Sequence, residues 1–482
     1  MSLDPDRSAA ASGRVLVAVT VVAVAAAVLV PVELSGIGLA LAWTAVLVAV
    51  FTCTPGRPGW GQISTAVGIV AVTSVPGWRS AEWLTPWYLP LAAVTTGALM
   101  VGARSIRELV FAAISPVVLL IPAVRWTGRG VPAARAARRI THPLRAVGVG
   151  LLTIGLVLVF GALFAGADAT FASLLGDLTP RIGDVDVSWH LVVALVVGVF
   201  TLLGCFILQA HPQLAARPTR VPGQTWTWAV PTGTVLVLYL AFLATQARAM
   251  FGGDDYVQRT SGLTYAEYAR SGFWQLFAVT ILTILTVTIG WHHADRSTSR
   301  GRILVRVILG GLCLSALAVV ASALSRMDLY MDAFGATRLR ITVLATEWWL
   351  GAVLIALLIA GAGVGTRHLA RVVGVLTIGA ALAFAAYNPD AQVARINVDR
   401  YLAGAPGAPR IDVGYLSNLS PDATDQLLRL PEPLRSCAVR DIAAQARTDR
   451  GWTGFDLARD HAVRSLRDTP ITPAEGVVCP GP

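Results

Sequence analysis

The chain has 482 residues, 55% of them hydrophobic and 14% charged, with a formal net charge of +10 at pH 7. Soluble domains carry about 25% charged residues, so this deficit excludes an ordinary globular enzyme and calls for several bilayer spans. All 38 basic residues are Arg, and their distribution orients a membrane protein rather than marking a nucleic-acid partner.

A helix needs about 20 apolar residues to cross the hydrocarbon core. In chain order the candidates are Val15–Val32, Ile37–Cys53, Ile63–Val75 (short), Trp83–Val101 and Leu109–Val124, the last interrupted by Pro116 and Pro122. Ala146–Gly166, Leu191–Ala210, Trp228–Met250, Phe273–Trp291, Leu304–Leu324, Val343–Ala362 and Val372–Tyr387 follow. The count is eleven or twelve spans, depending on whether 109–124 crosses or turns back. Arg14 and the run after it form a retained first helix, because a second apolar segment follows within a few residues.

Orientation follows from the loops. Loops 125–145, 211–226, 292–306 and 363–371 together hold 14 Arg and one acid, whereas 167–188, 251–270 and 326–341 hold 6 Arg and 9 acids. The positive-inside rule then places 125–145 in the cytoplasm and everything after Tyr387 outside. The expected organisation is N-terminal spans over 1–124, an Arg-rich cytoplasmic loop over 125–145, the main membrane domain over 146–387, and a small extracytoplasmic helical domain over 388–482. The fold class is all-α, a polytopic transmembrane helix bundle.

The C-terminal segment shows legible helix starts. Ser420-Pro421 combines an N-cap residue with Pro at the first helical position, and Thr453 with Asp456 resembles a capping box. Cys437 and Cys479 are the two Cys of this segment, and an oxidising compartment predicts a disulfide between them. Cys53, Cys205 and Cys313 lie in apolar runs, as packing residues do.

Three polar constellations flank the outward-facing loops. In Ser261–Arg270, Thr264 and Glu267 form a capping-box pattern and Tyr265 and Tyr268 share a helix face; interfacial anchoring accounts for the tyrosines. Arg326–Arg340 is an outer loop with Gly335 for its turn and Thr337 as a cap, its charges able to pair among themselves. In Asn388–Arg400, Asn388-Pro389 ends the last span, and Asp390, Arg395, Asn397 and Arg400 form a collar. Glu347 lies about 6–9 Å into its helix, where an ionisable group faces a partner or a cavity; Arg248, Arg338 and Arg340 are the candidate partners. All of these fall at outer helix ends. Glu267, Tyr268, Asp328, Tyr330, Arg338, Glu347, Asn388, Asp390 and Arg395 are therefore expected to converge into one polar cluster beneath the outer domain.

Other signals carry less. Gly361, Gly363 and Gly365 mimic a phosphate loop but end an apolar helix without a strand or Lys. His292 and His293 lack the ligand set of a metal site, and no metal or cofactor is expected.

The stretches Leu158–Phe171, Gly262–Gly272, Leu329–Arg340, Asn388–Arg400 and Tyr415–Ala423 resemble an actinobacterial family of multi-pass membrane proteins known only as a domain of unknown function. The Lys-free, Ala- and Val-rich composition fits such a source. The resemblance covers roughly residues 145–460 and implies the helical membrane fold and the outer polar cluster, with no activity attached; residues 15–124 carry none of it. No nucleophile, base and metal set is visible. The expected role is therefore a non-enzymatic envelope scaffold, sensor or assembly partner in the cell membrane, contacting an envelope protein or lipid through its C-terminal domain. The alternative is a transporter or lipid-handling carrier that uses Glu347 and the outer cluster.

Overall fold

The computed structural model describes residues 11–54, 56–103, 106–130, 181–182, 185–210, 225–261, 273–294, 296–363, 368–404, 411–448, 450–469 and 479. The described residues are all-α apart from one antiparallel pair of two-residue strands, β1 (Arg181–Ile182) and β2 (Val185–Asp186). It forms two compact units, one of Met1–Ala216 with Asp449–Leu457, the other of Arg217–Thr448 with Ala458–Pro482.

The first unit contains α1 (Gly13–Leu29), α2 (Gly38–Cys53), α3 (Trp60–Thr73), α4 (Thr85–Val101), α5 (Ile106–Val118), α6 (Leu120–Gly130) and α7 (Val187–Ala210). Helix α7 packs on α1, and their core is Val15, Val22, Val50, Met100, Trp126 and Phe206. The α5–α6 pair is bent by 61° at Leu119. Pro122 has no N–H to offer the carbonyl one turn back, and its ring crowds that turn, so the 109–124 run becomes two short helices.

Residues 450–457 lie in this unit as a strap over the α1–α2 turn. Ile37 N–H donates to the Phe455 carbonyl (3.2 Å) and Gly38 N–H to that of Thr453 (2.9 Å). Arg450 pairs with Glu82 at 2.6 Å, and the Ser80 hydroxyl donates to buried Asp456. Gly36 has φ +78°, and a Cβ there would stand 2.4 Å from the Thr453 carbonyl oxygen; only Gly suits the turn under the strap. Asp456 thus serves Ser80 rather than a capping box with Thr453, and the next helix starts at Leu457.

The second unit contains α8 (Thr225–Ser261), α9 (Phe273–His293), α10 (Ser299–Phe334), α11 (Arg338–Gly361), α12 (Leu369–Tyr387), α13 (Pro389–Leu402), the short α14 (Val413–Ser417) and α15 (Thr424–Leu427), α16 (Leu434–Arg447) and α17 (Leu457–Asp468), of which Leu457 belongs to the first unit. Helix α10 is central, packing on α8, α9 and α11 around Leu312, Ala316, Val319 and Leu354. A second core joins the turn after α10 to the C-terminal helices through Ala336, Ile341, Val393, Leu416, Leu427 and Ile442. The loops expected at 251–270 and 326–341 are shorter than the charge pattern implies: α8 continues helically to Ser261, and α10 to Phe334. Hydropathy drops where a helix leaves the apolar layer, whereas the helix itself ends only where the backbone is stopped, here at Gly335.

Among the described residues, seven helices are long and apolar enough to cross a membrane, or eight if the bent pair counts as one span. The apolar helices α1, α2 and α3 are shorter, at 17, 16 and 14 residues. The run 146–166, expected to span, lies outside the described residues.

Candidate functional site

The site is built at the turn between α10 and α11. Gly335 has φ +77°, and a Cβ on it would meet Asn397 Oδ1 at 2.3 Å. The Thr337 hydroxyl accepts the Arg340 N–H (3.3 Å) and starts α11. Asn397 fixes the turn from α13, accepting the Ala336 N–H (3.3 Å) and donating to the Ala336 carbonyl (2.8 Å).

Arg338 then points at Asp390 in the first turn of α13. Its Nε and Nη2 donate to the two carboxylate oxygens at 2.7 and 2.6 Å, a bidentate pair. Asp390 is fully buried and also accepts the Ser420 N–H at 2.8 Å. The Arg338 backbone N–H donates to the Tyr415 hydroxyl at 2.8 Å, and burial pushes that phenol above its ordinary range. Arg340 lies 4.2 Å from the Tyr330 ring centroid and donates to the carbonyls of Phe334 and Gly335. Both Asp390 oxygens are engaged, so the arrangement is chemically a clamp between α11, α13 and the segment before α15.

The expected cluster is partly assembled. Arg338, Asp390 and, through Arg340, Tyr330 come together. Asn388 contributes through the backbone: in the left-handed region at φ 58° it ends α12, and its side chain accepts the Ala391 N–H (3.4 Å) to start α13. Arg395 stands apart, exposed and 3.7 Å from Asp399. Asp328 is exposed on α10. Glu267 and Tyr268 lie outside the described residues.

Glu347 also stands apart, nine residues beyond Arg338 on α11, roughly 13 Å along the axis. It is 1% exposed, and neither carboxylate oxygen has a hydrogen-bond partner among the described residues. Of the three Arg proposed as its partners, Arg338 is committed to Asp390 and Arg340 to Tyr330 and the turn; the side chain of Arg248 lies outside the described residues.

Tyr415 and Ser420 were not expected in the site. Their link to Arg338 and Asp390 runs through single backbone and hydroxyl groups 77 and 30 residues away, for which sequence carries no periodic signal. Cys437 on α16 is disulfide-bonded to Cys479. Among the described residues no group of three or more His, Cys, Asp or Glu is placed to hold a metal ion.

Among the described residues these features define an all-α protein with membrane-type apolar helices, whose C-terminal helices are clamped to a helix long and apolar enough to cross a membrane. The chain belongs to the family described as a domain of unknown function (DUF4153), whose model matches residues 64–430. The match begins within helices that the sequence resemblance did not reach and stops before Cys437. No curated protein and no solved structure gives a significant match.

Proposed function

We propose that this protein is a non-enzymatic scaffold or assembly partner of the cell envelope, with the C-terminal helices displayed outside the membrane. The carrying observation is the Arg338–Asp390–Ser420 clamp, whose acceptor oxygens are consumed by docking. The Arg asymmetry of the loops supports the orientation. The C-terminal helices share their core with Ala336 and Ile341, so the display platform includes the membrane part. Glu347 favours a second reading, a carrier, because unpaired buried carboxyls in spanning helices mark transport paths.

The test uses the full chain in cells. A photo-crosslinking residue at the exposed positions Asp441 and Gln445 of α16 is expected to capture one reproducible envelope partner, and Asp390→Asn to reduce that capture. Saturable flux in proteoliposomes, lost in Glu347→Gln, with no captured partner, would overturn the scaffold reading in favour of the carrier. Reporters fused after Tyr387 and within 125–145 check the orientation.

A further inference from the structure

At the ends of α9, α10 and α11 remote from the clamp, the helices enclose a groove of about 310 Å³. Its walls are apolar: Val287 and Trp291 from α9, Leu309 and Cys313 from α10, Leu357 and Leu358 from α11. There is free space beside Gly310, where a Cβ would meet only Leu358, at 3.8 Å. The volume is at the lower end of ligand pockets, about 300 Å³, enough for a stretch of single hydrocarbon chain.

The rim is cationic. Arg306 lines the groove, is exposed, and donates to the Ala362 carbonyl at 3.2 Å. Arg302, one turn earlier on α10, is steadied by the Ser297 carbonyl and the Ser299 hydroxyl, each at 3.1 Å. The Arg296 guanidinium stands 4.0 Å from the centroid of Trp291. No acidic residue occurs between 296 and 327; Asp295 lies outside the described residues. Guanidinium groups match phosphate oxygens in charge and fork geometry, and a cationic rim on an apolar groove complements a molecule with an anionic head and a hydrocarbon tail.

We propose that this groove binds an anionic phospholipid. One acyl chain lies along Leu309, Leu357 and Leu358, and the phosphodiester sits at Arg306 with Arg302 and Arg296 around it. The site belongs to the membrane part and is independent of the clamp.

The test incorporates the full-length protein into nanodiscs of equal parts dioleoyl phosphatidylglycerol and dioleoyl phosphatidylcholine. Retained lipid is then counted by native mass spectrometry after detergent release. The wild type is expected to retain phosphatidylglycerol preferentially. Arg306→Gln should lower that preference about fivefold, from the loss of one surface guanidinium, with the fold intact because the side chain is exposed. Gly310→Leu fills the groove and should abolish retention of both lipids. Equal retention by the wild type, unchanged preference in Arg306→Gln, or retention by a folded Gly310→Leu protein would each overturn the proposal. Should Gly310→Leu fail to fold, Arg306→Gln decides alone.

Discussion

Replacing Asp390 by Asn tests the clamp while preserving shape. The carboxylate is fully buried, receives two guanidinium N–H bonds at 2.7 and 2.6 Å, and takes the Ser420 N–H at 2.8 Å. An amide keeps one acceptor oxygen and puts an NH2 donor where a donor already points. Breaking a buried pair by removing one partner costs about 3–5 kcal/mol, because the other charge is left uncompensated. Arg338 is 29% exposed, so water recovers part of its solvation and the lower end, about 3 kcal/mol, is expected. The same principle gives a control: Arg338→Met with Asp390→Leu removes both charges and should recover the part of the loss due to the uncompensated guanidinium, while the Ser420 N–H loses its acceptor. The assay is thermal unfolding of the full-length protein in detergent, followed by protease cleavage within the C-terminal helices. A loss below about 0.5 kcal/mol, within the range of ordinary surface substitutions, would refute the clamp. A double variant clearly less stable than Asp390→Asn would refute the electrostatic account of it.

Three further outcomes are expected. Cys437 and Cys479 should resist thiol labelling until a reductant is added, and reduction should lower stability by about 2–4 kcal/mol, since the bond closes a long loop; labelling of both without reductant would contradict the bond. Burial opposes ionisation of Glu432, but hydrogen bonds from Ser436 and Arg435 outweigh it and hold the carboxyl below its ordinary value. Its contribution is therefore present above the unfolded pKa and lost as pH falls through the folded one. In acid-denaturation profiles the gap between wild type and Glu432→Gln should be under about 1 kcal/mol at neutral pH and close only as pH falls below the ordinary glutamate range; a gap that widens on acidification would reverse the sign. Glu347→Gln should leave the unfolding midpoint unchanged or raised, because no hydrogen bond to a described residue is lost. A drop of several degrees would reveal a partner beyond the described residues.

Apolar helices were legible wherever a run of apolar residues matched the hydrocarbon thickness, as in α7, α9, α11 and α12. Helix ends were not, because Asp328, Asp332 and their neighbours continue α10 as a polar helix past the point where apolarity stops. Arg338, Asp390 and Glu347 stood out individually, since charge at the edge of an apolar run is costly. Which of them pair depends on the turn at Gly335 and on packing 52 residues apart in sequence, and local pattern carries no trace of either. The strap is the extreme case: two of its bonds join backbone groups of Ile37 and Gly38 to residues 453 and 455, and backbone atoms are the same in every residue.

The strap also bears on the order in which the chain can finish folding. Residues 449–457 complete a unit whose other members end at Ala216. That unit therefore waits, during synthesis, for more than two hundred intervening residues to be made, and the α1–α2 turn stays uncovered until residues 453 and 455 have left the ribosome. Neither unit is a continuous stretch of chain. A polypeptide cut after Ala216 would yield a first fragment lacking nine of its own residues, and a second carrying them as a surplus loop.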